Sequence, residues 1–242
     1  MIGLGTIVNC IAVIVGCTVG LFIKKGIAPR FEDIIKKALG LSTMYIGASG
    51  ALVGLLKINE NGRLETQGTM LMIFSLVIGA IIGEALRIED RLDSMGEKLK
   101  KCVKLNDSNS KFVEGFVTNT LVICVGAMAI VGSLNDGISG DASTLYAKSI
   151  LDGVIGVIFA STLGIGALFA VIPMAIYQGG ITLAARFIEK YLTDAMISDM
   201  GYVGSILIFA IGVNLAFGKK FKTGNMLPAI LVPIVYNLLF VK

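Results

Sequence analysis

The chain has 242 residues, 55% of them apolar and 16% charged, with a formal net charge of +4 and a mean hydropathy of +0.84. A soluble domain carries roughly 25% charged residues, so this balance excludes an ordinary water-soluble globule and points to a chain solvated by lipid. No His and no Trp occur, which removes the usual haem and zinc ligand and the usual histidine proton relay.

Eight apolar segments follow one another at roughly 2–23, 38–56, 69–88, 113–134, 149–163, 167–187, 201–218 and 226–241. An apolar run of about 18 residues is long enough to cross a bilayer as a helix. The first, "IGLGTIVNCIAVIVGCTVGLFI", has neither a basic n-region nor a small-residue cleavage site, so it is expected to be a retained span and not a signal peptide. Between the first and second lies "KKGIAPRFEDIIKKAL", and after the third comes "RIEDRLDSMGEKLKKCVKL". Both space apolar residues at helical intervals among charges (Phe31, Ile34, Ile35; Leu92, Met95, Leu99), the pattern of helices lying in the interface. Solvated connectors are the plainer alternative. "NDSNSK" is the best linker candidate.

The fifth and sixth segments are nearly fused across "TLGIGAL", but their combined length suits two passes better than one. Fifteen of the 21 Lys and Arg fall on the loops that follow odd-numbered segments and on the ends next to them, against six elsewhere. Basic residues concentrate on the cytoplasmic side. Eight spans with both termini outside and basic loops in the cytoplasm are therefore expected, in a bacterial inner membrane. The same bias, with anionic lipid, accounts for the net charge without nucleic acid.

Internal matches suggest a repeat. "VNCIAVIVG" (8–16) lies on "TNTLVICVG" (118–126), placing Asn9 and Asn119 each seven residues ahead of a Gly. "LGLSTMYIGASGALVG" (39–54) lies on "LDGVIGVIFASTLGIG" (151–166), and "GAIIGEALRIEDRL" (79–92) on "GGITLAARFIEKYL" (179–192). Each copy holds three spans, and an odd number of crossings makes the second enter from the opposite side, as in many secondary transporters. The predicted fold is thus all-α: one polytopic membrane domain over 1–242, with a first triplet at 1–105, an inverted second triplet at 113–197 and two C-terminal helices at 201–242. A symmetric helical assembly without transport, or a channel, fits the same repeat.

The stretch "GSLNDGISGDASTLYAKSILDGVIGVIFASTLGIG" from residue 132, the later "NMLPAIL", and "GTIVN" with "GAIIGEALRIEDRL" in the first half resemble the YqgA/YdfK-like family of bacterial membrane proteins of unknown function. The resemblance spans nearly the whole chain. It implies a multi-spanning inner-membrane protein and brings no activity with it.

Candidate site residues come from polar groups inside apolar runs. Asn9 and Asn119 must each find a partner in lipid, either a solute or a neighbouring helix. Asp152 is the acid nearest the start of the fifth span and shares a helix face with Lys148. An intramembrane acid is a functional candidate, and an interfacial ion pair is the alternative. Asp141 is placed to cap that helix. Ser161, Thr162 and Gly164 would line a break after a short fifth span, and Pro228 and Pro233 interrupt the eighth. Gln178 and Asn225 are expected as polar wall residues, with Asn214 beside the basic loop. Glu84 and Arg87 read as an i, i+3 anchor. Gly16–Gly20, Gly50–Gly54 and Gly79–Gly83 permit close helix contacts within the chain or between subunits.

Cys10, Cys17, Cys102 and Cys124 show no metal or disulfide spacing and read as small apolar filler. No nucleotide loop, catalytic triad or metal motif occurs. The expectation is a non-enzymatic secondary carrier of a small polar solute or ion, with no cofactor, no metal, no catalytic residues and no nucleic-acid partner. Asn9, Asn119, Asp152, Ser161, Thr162, Gln178 and Asn225 would contact the solute. The bilayer is its surroundings and a homodimer its expected assembly. A passive pore and a non-transporting scaffold are the alternatives.

Overall fold

The structure, a computed structural model, describes residues 2–24, 29–102, 111–124, 127–188 and 192–240. Packing divides the chain into two compact units: Met1–Lys36, Asp90–Cys124 and Met128–Tyr191 form unit 1, and Lys37–Glu89, Val125–Ala127 and Leu192–Lys242 form unit 2. The linker candidate "NDSNSK" falls mostly outside the described residues, as does Gly126 of the Asn119 match.

Unit 1 is built around α1 (Leu4–Lys24), α5 (Phe112–Cys124), α6 (Ala127–Ser139), α7 (Ser143–Leu163), the single turn α8 (Gly166–Phe169) and α9 (Val171–Ile188), with most of α4 (Ile88–Cys102) beside them. Gly5 of α1 faces Ala142 and Leu145, Gly16 faces Gly153, and Gly20 faces Val157 and Ala160. Contacts that advance together along both chains mean that α1 and α7 run in the same direction. Any Cβ on Gly16 or Gly20 would collide with a backbone carbonyl of α7, so these positions let the two backbones touch.

Unit 2 holds α2 (Pro29–Leu55) from Lys37 onward, a hairpin of β1 (Leu56–Ile58) and β2 (Leu64–Thr66), α3 (Thr69–Leu86), α10 (Asp194–Phe217), a 3-10 segment over Thr223–Leu231 and α11 (Val232–Phe240). Gly40, Gly47, Gly50 and Gly54 meet Ala216, Phe209, Ser205 and Tyr202 in descending order, so α2 and α10 are antiparallel. Gly79 and Gly83 meet Ala229 and Asn225 in the same descending way. The face α3 buries is Leu71, Ser75, Gly79 and Gly83, while Ile73, Phe74, Val77 and Ile81 are exposed. Small residues inside and large apolar ones outside is the arrangement of a helix that packs in lipid. All three small-residue pairs that the sequence left open are therefore used within the chain.

Among the described residues, six helices are long and apolar enough to cross a membrane, or seven if the bent pair α5–α6 is one span. The expected fourth span is this pair, two helices bent by 61°. The expected eighth becomes the 3-10 segment followed by nine residues of α-helix, because Pro228 and Pro233 each remove a backbone donor. The expected fifth span is not short. It begins at Ser143, six residues earlier than hydropathy suggests, and runs 21 residues. Asp141 starts it by accepting the Ser143 N–H at 2.9 Å. That bond, with the Ser143 hydroxyl, holds the Asp141 carboxyl below the usual carboxylate range, so its help to the helix start fades as pH falls through that lowered value.

Gly164, at φ 87, ends α7, and its N–H bonds the Ala160 carbonyl. This break separates two stretches each long and apolar enough to cross a membrane, Ser143–Leu163 and Gly166–Ala185. The stretch read as a first surface helix is instead continuous with α2, since Pro29 starts a helix that runs unbroken into the span. The second such stretch does form its own helix, α4, because Arg87 turns left-handed (φ 50) and stops α3. That turn takes Arg87 off the helix face it would share with Glu84. Glu84 instead bonds Lys222 and Asn225, both at 2.7 Å.

Gly16→Ala and Gly83→Ala should each lower stability by about 1–3 kcal/mol, as overpacked backbone contacts do. Gly180→Ala, where a Cβ meets nothing within 4 Å, should be neutral or stabilise by up to about 1 kcal/mol through helix propensity. Thermal unfolding in detergent, followed with a thiol-reactive dye that reaches buried Cys17 only on opening, checks the contrast.

Candidate functional site

Close approach of α1 to α7 brings polar groups together within unit 1. Lys148 and Asp152 lie one turn apart on α7, and the Lys148 Nζ sits 2.8 Å from both carboxylate oxygens. Both residues are buried, at 7% and 2% exposure. A buried ion pair rarely stabilises a fold better than apolar residues of the same size, because desolvation offsets its attraction. Its presence inside a membrane-spanning helix therefore directs attention to function.

Asn9, in the second turn of α1, donates through Nδ2 to Asp152 Oδ2 at 2.9 Å and to Gln178 Oε1 of α9 at 3.2 Å. Three helices thus meet in one chain of bonds running from Lys148 through Asp152 and Asn9 to Gln178. The carboxylate decides which way the Asn9 amide faces, since its oxygen turned inward would oppose the Asp152 charge. Two atoms are left over. Asn9 Oδ1 and Gln178 Nε2 are buried and have no hydrogen-bond partner among the described residues. Leaving such an atom unpaired costs about 1–3 kcal/mol, which a bound solute or water would recover. Cys124 of α5 lies within electrostatic range of the pair.

The other expected residues are placed elsewhere. Asn119 of α5 donates to the Ala167 carbonyl of α8 at 2.8 Å and reaches Cys17 Sγ at 4.0 Å. Asn9 and Asn119 thus do not share a kind of partner. Asn119 ties a helix to the irregular turn after Gly164 and supplies that turn with a donor. The hydroxyls of Ser161 and Thr162 bond the Ile158 carbonyl of their own helix, at 2.8 and 2.9 Å, as Ser and Thr do when no other acceptor is near. Asn225 belongs to unit 2. Its Oδ1 accepts the Glu89 N–H at 2.7 Å and its Nδ2 donates to Glu84. With both ends of its amide bonded, it acts as a staple between the end of α3 and the 3-10 segment. Asn214 accepts from the N–H groups of Lys220 and Phe221 at 2.8 and 2.9 Å and shapes the basic loop.

Two buried acids escaped the sequence reading. Asp136 of α6, fully buried, accepts the N–H groups of Gly3 and Gly5 at 3.2 and 3.1 Å. It supplies from a distance the anion that the start of α1 lacks locally. The apolar run ends at residue 134, which leaves Asp136 in a loop by hydropathy, and only the continuation of α6 to Ser139 brings it inside. Glu89 ion-pairs with Lys219 and accepts the Gly224 N–H at 3.1 Å. Its one trace in the sequence is the acidic pair in "RIED" beside a basic loop more than a hundred residues away.

Lys148→Met alone should destabilise the protein by about 3–5 kcal/mol, because it strands a buried carboxylate. Lys148→Met combined with Asp152→Leu should restore most of that loss, and the same unfolding assay measures both.

Comparison with known proteins gives a family without an assigned activity. The model of a family described as "Protein of unknown function (DUF554)" matches residues 4–238. The "Uncharacterized membrane protein YdfK" of Bacillus subtilis (strain 168) is 32% identical over 231 residues, covering 96% of this chain and 94% of that protein. The "Uncharacterized protein YqgA" of Escherichia coli (strain K12) is 28% identical over 232 residues, covering 95% and 94%. No solved structure matches. With nearly its whole length matched, and with helices of this apolarity, the chain is a multi-spanning membrane protein belonging to the DUF554 family.

Proposed function

We propose that the protein is a secondary carrier that moves a small polar solute or ion across the bacterial inner membrane by alternating access. One observation carries this reading: a buried, mutually neutral Lys148–Asp152 pair, bonded through Asn9 to Gln178, with an acceptor and a donor left unpaired inside membrane-spanning helices. Such a cluster is costly as packing and useful as a binding site. Lys148 joins Asn9, Asp152 and Gln178 as a solute contact, while Ser161, Thr162 and Asn225 are read as structural. Asn119 acts beside the site by holding the α8 turn. The repeat of 1–105 in 113–197 would supply two conformations of similar energy.

Helix directions support the eight-crossing path. Three spans separate α1 from α7 if the bent pair α5–α6 crosses, and an odd number of intervening crossings makes the two parallel, as they are. Antiparallel packing of α2 with α10, and of α3 with the 3-10 segment, fits the same order. On this path both termini face outward and the basic loops face the cytoplasm. A homodimer, if the protein forms one, uses a face other than the three glycine pairs.

Reporters fused after residues 105 and 192 should be found on opposite sides of the membrane. Recovery of both on one side overturns the eight-crossing path and, with it, the inverted repeat. In liposomes the purified chain should show solute uptake that saturates with concentration. The folded Lys148→Met/Asp152→Leu variant should lose at least tenfold of that uptake. Flux that never saturates would instead favour a pore, and unchanged uptake by the double variant would remove the pair from the site.

A further inference from the structure

The groups around Asp152 restrict what kind of solute they can hold. Lys148 and Asp152 neutralise each other in a buried setting. A lone cation on Asp152 would displace the Lys148 ammonium and leave it unpaired, and a lone anion on Lys148 would do the same to Asp152. An unpaired buried charge is the costliest state such a site can enter. A solute with one charge of each sign avoids it, because each half of the opened pair gains a new partner.

The spare hydrogen-bonding atoms have the same two-sided character. Asp152 fixes the Asn9 amide with its nitrogen inward, bonded at 2.9 Å, and the Asn9 nitrogen in turn holds Gln178 Oε1 at 3.2 Å. What remains is an acceptor, Asn9 Oδ1, and a donor, Gln178 Nε2, both fully buried and without a partner among the described residues. An ammonium only donates and a carboxylate only accepts. Asp152 with Asn9 Oδ1 matches the first, and Lys148 with Gln178 Nε2 matches the second.

We infer that this cluster binds a small zwitterion of the amino-acid type, its ammonium on Asp152 and Asn9 and its carboxylate on Lys148 and Gln178. The inference rests on reading this cluster as the solute site and names the class of solute. The Lys and Asp are one helical turn apart, so the two charges of the ligand must be separated by only a few bonds, as they are in an α- or β-amino acid. Asp136 holds the start of α1 and the Asn119 amide nitrogen holds the α8 turn, while the other unpartnered polar atoms of unit 1 (Asn119 Oδ1 and the hydroxyls of Thr6, Thr120, Ser133 and Thr182) are uncharged and lie outside the chain of bonds from Lys148 to Gln178.

The test uses the purified full chain in detergent and reads thermal unfolding against glycine, β-alanine, the other net-neutral amino acids, methylammonium chloride, sodium acetate and acetamide. At least one zwitterion should raise the midpoint, by about 5 °C at a hundred times its Kd. Methylammonium, acetate and acetamide should require at least tenfold higher concentration for the same shift. K148Q should then prefer methylammonium to the zwitterion, and D152N should prefer acetate, a reversal that a merely structural pair would not produce. The inference is overturned if no amino acid stabilises the wild type, if a singly charged or neutral probe does as well, or if the variants keep the wild-type ranking. Should either variant fail to fold, the wild-type ranking decides alone. Saturable uptake of an uncharged solute without zwitterion binding would remove this inference and keep the carrier. Zwitterion binding without uptake would keep the site and remove the carrier.

Discussion

Contact between the backbones of α1 and α7 is the constraint on which unit 1 depends. Without side chains at Gly16 and Gly20, the α1 backbone comes to rest against the carbonyls of Gly153 and Val157. In lipid there is no hydrophobic force to press helices together, so close packing and polar contacts must hold them. That approach brings the short side chain of Asn9 within 2.9 Å of Asp152. A larger residue at either glycine would hold the helices apart, and the amide could no longer reach the carboxylate. Packing and polar chemistry are therefore one problem in this unit, solved by the same few residues.

Unit 2 meets the same constraint with different chemistry. Its glycines on α2 and α3 admit α10 and the 3-10 segment, and its buried acid and amide groups are paired, while the hydroxyls of Ser75 and Tyr202 are buried without a partner among the described residues. Asn225 uses both ends of its amide, and Glu89 accepts from a lysine and a backbone N–H. Val203, Leu207 and Ala229 form the apolar centre of this unit. Unit 1 differs in that two of its unpartnered atoms, Asn9 Oδ1 and Gln178 Nε2, belong to a network built on a buried ion pair. That difference, more than the number of polar residues, separates a candidate site from a scaffold.

Much of the candidate cluster was legible in the sequence, because polar residues in apolar runs stand out. Asn9, Asp152, Gln178 and the Lys148–Asp152 spacing were all visible in the sequence, and the structure brings these four together. Ser161, Thr162 and Asn225 stood out for the same reason, yet their bonds are satisfied within the fold. A sequence shows that a polar atom needs a partner and cannot show which partner it finds. Asp136 was missed for the complementary reason. Its partners are backbone N–H groups at the far end of the chain, and backbone groups leave no mark in a sequence.

Composition and hydropathy by themselves determined that this is a chain of membrane-crossing helices, because lipid permits few alternatives to a helix that satisfies its own backbone. They also determined where most helices lie and which positions are small enough for close packing. Only the tertiary structure decided that the small-residue pairs serve contacts within the chain, that α7 starts at Ser143, that the fourth segment is broken, and that the two asparagines have different partners. The physical reason is range. Helix formation in lipid is local and follows from side-chain apolarity, whereas pairing of buried donors and acceptors joins residues more than a hundred positions apart and depends on which backbones can touch.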